Sequence, residues 1–170
     1  METPIGPHPI ILNYDGIFDL EALYHECTQF FAEKGFKFEE PTYKVKATEE
    51  EITWKPERKV TDYVKYTMAI NFWILDKKDV DVIKEGKKVK LTKAHVRILL
   101  SCKAVRDYSG RFKGKPYLKK IKDFYEKFVF KKEFDTVWDD ELYYNLYALH
   151  TLLKKHLDSD TKSNAFYDVW

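Results

Sequence analysis

The stretch GRFKGKPYLKKIKDFYEKFVFKK (110–132) interleaves lysines with tyrosines and phenylalanines. These are the two kinds of side chain with which proteins hold nucleic acid, cations for phosphate and rings for bases. A helical projection at about 100° per residue separates them. Tyr117, Ile121, Phe124, Tyr125 and Phe128 fall in one sector, and Lys119, Lys120, Asp123, Glu126 and Lys127 fall opposite. The spacing therefore predicts an amphipathic helix with its rings turned to a core. A modest anion-binding patch remains, made of Arg111, Lys113 and Lys115 in the preceding loop with Lys119 and Lys120 on the helix. Thirty basic and 28 acidic residues leave a formal charge of +2, too little field to favour a polyanion, so the balance argues against nucleic acid. A second cluster, Lys84, Lys87, Lys88, Lys90 and Lys93, reads as lysine guarding exposed strands against edge-to-edge pairing. Either cluster could support only weak, salt-sensitive binding to RNA or an anionic membrane.

Catalytic chemistry has little to stand on. His8, His25, His95, His150 and His156 show no metal-ligand spacing with a third donor nearby. Six glycines form neither a phosphate loop nor a dinucleotide fingerprint, and no cofactor is expected. Cys27 and Cys102 lie on faces expected to be buried, as reduced thiols. The acidic triplets Glu49-Glu50-Glu51 and Asp139-Asp140-Glu141 read as a solvated turn and a helix start. The pattern favours a protein that binds over one that catalyses.

The elements that must position any site follow from periodicity. Asp19 can cap a helix whose Phe18 and Leu23 form a hydrophobic staple. Leu20, Leu23, Tyr24, Cys27, Phe30 and Phe31 form its apolar face, and Gly35 its stop. From Phe36 the period becomes two. Short strands at 43–47 and 52–54 precede a long alternation, Val64, Tyr66, Met68, Ile70, Phe72, Ile74, which ends in a turn at 76–79. Val80/Val82 and Val89/Leu91 flank a second turn at Glu85-Gly86, and Val96 to Ala104 alternate again. Residues 140–157 carry a helical stripe of Leu142, Leu146, Leu149 and Leu153. The fold class expected is α+β: a curled antiparallel meander of about five or six strands, one helix before it and two helices after it packed on one face. With 170 residues and 44% hydrophobic content the chain suits one domain with its own core, with 1–9 as an extended leader and 158–170 as a C-terminal tail.

Binding surfaces come from what this layout leaves over. Tyr63, Trp73, Leu75 and Leu99 alternate onto the outward sheet face, where a wetted surface would be polar. The last residues bring Phe166, Tyr167 and Trp170 after a polar linker. Together they predict a contact surface for another protein or a second copy of the chain. The alternative is a small apolar ligand in a cavity lined by Met68, Ile70, Phe72, Leu100 and Leu149. RKVTDYVKY (58–66), KDVDVIKEGKKVKLTK (78–93) and ELYYNLYALHTLLKKHL (141–157) resemble parts of small archaeal proteins of uncharacterised function, a resemblance that implies no particular chemistry. The order of elements is similar to that of helix-grip ligand-binding folds, an analogy of architecture that underlies the carrier alternative. The start of the chain lacks signal-peptide character and no segment approaches the about 20 apolar residues of a membrane span, so a cytoplasmic setting is expected.

Overall fold

The computed structural model describes residues 2–46, 48–84, 87–110, 116–124, 127–128 and 137–157. Strand β1 (Glu2–Phe18) leads into helix α1 (Leu20–Glu33). Strands β2 (Thr42–Val45), β3 (Glu49–Trp54) and β4 (Glu57–Lys59) follow, then the long strands β5 (Val64–Lys84) and β6 (Lys87–Arg106). Helices α2 (Pro116–Phe124) and α3 (Asp139–His156) complete the described chain. The six strands form one antiparallel sheet in the order β1-β6-β5-β3-β2, with β4 beside the start of β5. The sheet is open.

Helix α1 forms as its sequence dictates. Asp19 accepts a hydrogen bond from the Ala22 N–H at 2.9 Å, satisfying a donor that has no partner in the first turn. Phe18 and Leu23 are both buried. Gly35 takes φ +71°, and the Gly35 and Phe36 amides donate to the Ala32 and Phe31 carbonyls. That is a Schellman stop, in which the left-handed residue carries no Cβ to resist it.

Helix α3 has acids in its first turn and Lys154, Lys155 and His156 in its last, as the helix dipole favours. It lies across β6 and β1 and touches α1. Leu142, Leu146, Leu149 and Leu153 are buried against the sheet face of Tyr66, Met68, Ile70, Phe72, Ile98 and Leu100. Arg58 ties this end of the molecule together. It donates to Glu141 Oε1 at 2.5 Å and to the Lys34 carbonyl at 3.0 Å, and its guanidinium lies over the Phe36 and Tyr66 rings. The Tyr66 hydroxyl reaches the Trp138 carbonyl at 2.8 Å and Glu141 Oε2 at 3.2 Å.

Several expectations need correction. The covering helices are one before β2–β6 and one after, rather than one and two. The nine-residue α2 leaves Tyr117, Ile121 and Phe124 56%, 42% and 57% exposed, so these three side chains, expected to face the core, do not; Tyr125 lies outside the described residues. Amphipathic spacing settles which residues share a face, not whether a partner is free to receive it. The core face of the sheet is already occupied by α1 and α3.

The turn expected at 76–79 is instead a β-bulge. Asp76 and Lys77 together oppose Ala94, between the pairs Leu75–His95 and Lys78–Lys93. Asp76 takes φ 54°, a left-handed conformation that aspartate tolerates better than most residues, and the strand continues to Lys84. Four expected strands are thus two. Lys84 pairs with Lys87, while the turn residues Glu85 and Gly86 lie outside the described residues. The leader is likewise part of a strand, since residues from Glu2 onward pair with β6 across an irregularity between Ile5 and Ile10. Glu49-Glu50-Glu51 opens β3 rather than forming a turn.

Candidate functional site

The helix-free face of the sheet brings three of the predicted contact residues, Trp73, Leu75 and Leu99, together. Trp73 on β5 pairs with Arg97 on β6, Leu75 with His95, and Asn71 with Leu99. Leu99 in turn pairs with Ile11 on β1. Directly opposed residues point to the same face. Ile11, Leu99, Trp73 and Leu75 therefore form a diagonal apolar stripe across three strands. Ile11 is 42% and Leu75 44% exposed, while Trp73 and Leu99 are half-buried. Asn13, Arg97 and Asn71 border the stripe, as does Glu51, paired with Trp73 from β3. A shallow depression of about 410 Å³ opens here between Asn13, Leu75, His95 and Arg97, and His95 Nδ1 lies 3.2 Å from Asp15 Oδ2 beside it.

Tyr63 does not join this stripe. It precedes β5 in a bend and packs against the edge of the core, because the outward alternation begins only once the strand does. Phe166, Tyr167 and Trp170 lie outside the described residues, as do Arg111, Lys113 and Lys115. Lys120 is exposed on α2, whereas the Lys119 side chain is outside what is described. Ile11 and Arg97 also lie on this face, and neither was among the predicted residues. The pairing of β1 with β6 puts Ile11 beside Leu99, and no local pattern announces it.

Met68, Ile70, Phe72, Leu100 and Leu149, expected to line an apolar cavity, are each 0–1% exposed and sit within one continuous core. A second cavity lies elsewhere. It is an open cleft of about 610 Å³ between the start of α1, β2, β3 and the bulged part of the β5–β6 hairpin. Its apolar wall includes Leu20, Tyr24, Tyr43, Ile52 and Leu91; Asp19, Glu21, Glu40, Asp79, Lys77 and Lys90 supply the charge. Glu40 accepts from the Trp54 indole at 3.1 Å and from the Tyr24 hydroxyl at 3.2 Å. Burial, then the Glu40 charge, raises the Tyr24 pKa, so Tyr24 stays a donor.

The bulge turns Lys77 toward Glu50, whose Oε1 it meets at 2.6 Å. Glu50 is 6% exposed, and among the described residues its Oε2 has no hydrogen-bond partner. Lys90 pairs with Asp79 at 2.7 Å. That bond raises the lysine's pKa and lowers the aspartate's. The cleft's charged side chains come from four separate stretches of chain, so no single local motif announces the cleft.

Both cysteines and one histidine lie buried, and burial shifts each of them. Burial, then Glu26, pushes the Cys27 thiol up to about 12, and burial, then Asp139, does the same to Cys102. Thiolate is the reactive form, so neither cysteine is a nucleophile at neutral pH. His150, buried on α3, has its pKa lowered by burial and by Lys154. Comparison with protein-family models, with curated proteins and with solved structures gives no match.

Proposed function

We propose that this chain is a non-enzymatic interaction module that pairs with a second copy of itself through the helix-free sheet face. The observation that carries the reading is the opposition of Arg97 and Trp73 on the two central strands. Arg97 is exposed, and no ion pair or side-chain hydrogen bond engages it among the described residues. Trp73 is its neighbour on β5, and Glu51 is the next residue across, on β3.

A twofold axis near-parallel to the strands, between β5 and β6, would set each Arg97 over the second copy's Trp73. The second copy's Glu51 would lie one strand further out. A guanidinium on an indole face is a favourable cation–π pair, and twofold symmetry forms it twice. The same placement covers Leu75, Leu99 and Ile11 from water, and two such faces can stack about 10 Å apart with nearly aligned strands. Aromatic and arginine anchors within an apolar patch are the usual carriers of binding energy at interfaces.

Sedimentation velocity across a concentration series tests this. Wild type is expected to shift from monomer to dimer, and Trp73→Glu to require at least about tenfold more protein, equivalent to about 1.4 kcal/mol. A wild type that stays monomeric at the highest concentration, or a Trp73→Glu variant that dimerises as well, would remove self-pairing. In the first case the face would be left to a different protein.

A further inference from the structure

We propose that the cleft beside the start of α1 binds an organic ammonium, an amine carried on an aliphatic body, independently of the pairing face. Its size of about 610 Å³ falls within the range of small-molecule sites. Its charge is unevenly matched. Four carboxylates and two lysines line it, and both lysines are already held by acids, Lys77 by Glu50 and Lys90 by Asp79.

Asp19, Glu21 and Glu40 have no ion pair among the described residues. Glu40 is fixed by two neutral donors, the Trp54 indole and the Tyr24 hydroxyl. They orient the carboxylate without cancelling its charge, and each of its oxygens keeps a lone pair for a further donor. Beside the cleft, Glu50 adds a fifth carboxylate, more than nine-tenths buried, with one oxygen unpartnered among the described residues. It lies two residues before Ile52 on the same strand face and grips Lys77, so it borders the cleft wall through both residues. A concave, partly apolar site with this excess of negative charge concentrates cations.

The apolar surfaces decide which cation. Tyr24 and Tyr43 bring aromatic rings to the lining, and an ammonium over a ring face gains cation–π attraction. Leu20, Ile52 and Leu91 offer a surface for methylenes. Among the described residues no group of three or more histidine, cysteine or carboxylate side chains is placed to hold a metal ion. The arrangement fits a hydrated metal poorly and an alkylammonium well: its head against Glu40, where the hydrogen bond is charge-assisted, and its tail over Ile52.

The test uses two probes with one tail and opposite heads, hexylammonium and hexanoate, titrated by calorimetry and by NMR of the Trp54 indole N–H. Hexylammonium is expected to bind saturably and to shift the Trp54 indole resonance, with hexanoate at least tenfold weaker. Glu40→Gln, which keeps one acceptor oxygen for the Trp54 indole and turns an amide N–H to the Tyr24 hydroxyl oxygen, should weaken hexylammonium at least tenfold. Tyr43→Ala, at a 57% exposed position outside the buried core, should weaken it severalfold. Arg97→Glu should leave it unchanged whether or not the chain pairs. Equal binding of both probes, an unaltered affinity in Glu40→Gln and Tyr43→Ala, or no saturable binding at millimolar hexylammonium would each overturn the proposal.

Discussion

Tyr66→Phe removes one oxygen from the core and interrogates the joint between sheet and helix α3. The side chain is 0% exposed, and burial, then Glu141, raises its pKa, so the hydroxyl remains a donor throughout the neutral range. It serves the Trp138 carbonyl at 2.8 Å and Glu141 Oε2 at 3.2 Å. The ring keeps its packing in the variant, so the change reports the hydrogen bonds alone. A bond to a charged acceptor contributes about 1.5–3 kcal/mol, and a buried acceptor left without its donor costs about 1–3 kcal/mol. Glu141 retains Arg58 at 2.5 Å and is partly open to water, which holds the expected loss to about 1.5–3 kcal/mol. For a chain of this size that lowers Tm by about 3–12 °C. Urea denaturation followed by far-ultraviolet circular dichroism should show a lower midpoint and an unchanged slope. A loss below about 0.5 kcal/mol would show that the hydroxyl does not hold the start of α3 to the sheet.

Two further outcomes follow from the interior. Leu149→Ala should destabilise by about 2–5 kcal/mol, the cost of a cavity in a packed core; a loss under about 1 kcal/mol in the same urea assay would point to the loose interior that a carrier of apolar ligands needs. His150 has a folded pKa below the usual value near 6.5, so below about pH 6.5 the unfolded chain takes up a proton that the folded chain refuses, and stability falls with pH. His150→Gln should lose less stability than wild type between pH 7.5 and 5.5, and parallel curves would rule the histidine out as a source of that dependence.

Helix α1 was legible to its last turn because cap, staple and stop are all local signals. The alternation of Val64 to Ile74 against Val96 to Ala104 also put the right residues in the core. What local patterns could not reveal was pairing. The polar run Asp76-Lys77-Lys78-Asp79 has turn composition, yet hydrogen bonding to β6 carries the strand through it as a bulge. Glu50 looked solvated because its cation, Lys77, lies 27 residues away and turns inward only at that bulge. The rings of α2 showed the opposite failure, an amphipathic pattern with the receiving surface already taken by α1 and α3. Of the predicted contact residues, Trp73, Leu75 and Leu99 were legible through strand parity. Arg97 and Ile11 needed the strand order, and Tyr63 fell short of the strand whose parity it was assigned.

The most direct measurement of the pairing is a charge swap read by sedimentation equilibrium. Arg97→Glu places an acid against the second copy's Trp73 and Glu51, and Glu51→Arg removes the carboxylate next to the arginine's seat. Each single variant should dissociate at concentrations where wild type is dimeric, and the double variant, with the signs exchanged, should recover part of the lost association. Dimerisation of all four proteins at the same concentration, or monomers throughout, would contradict pairing through this face.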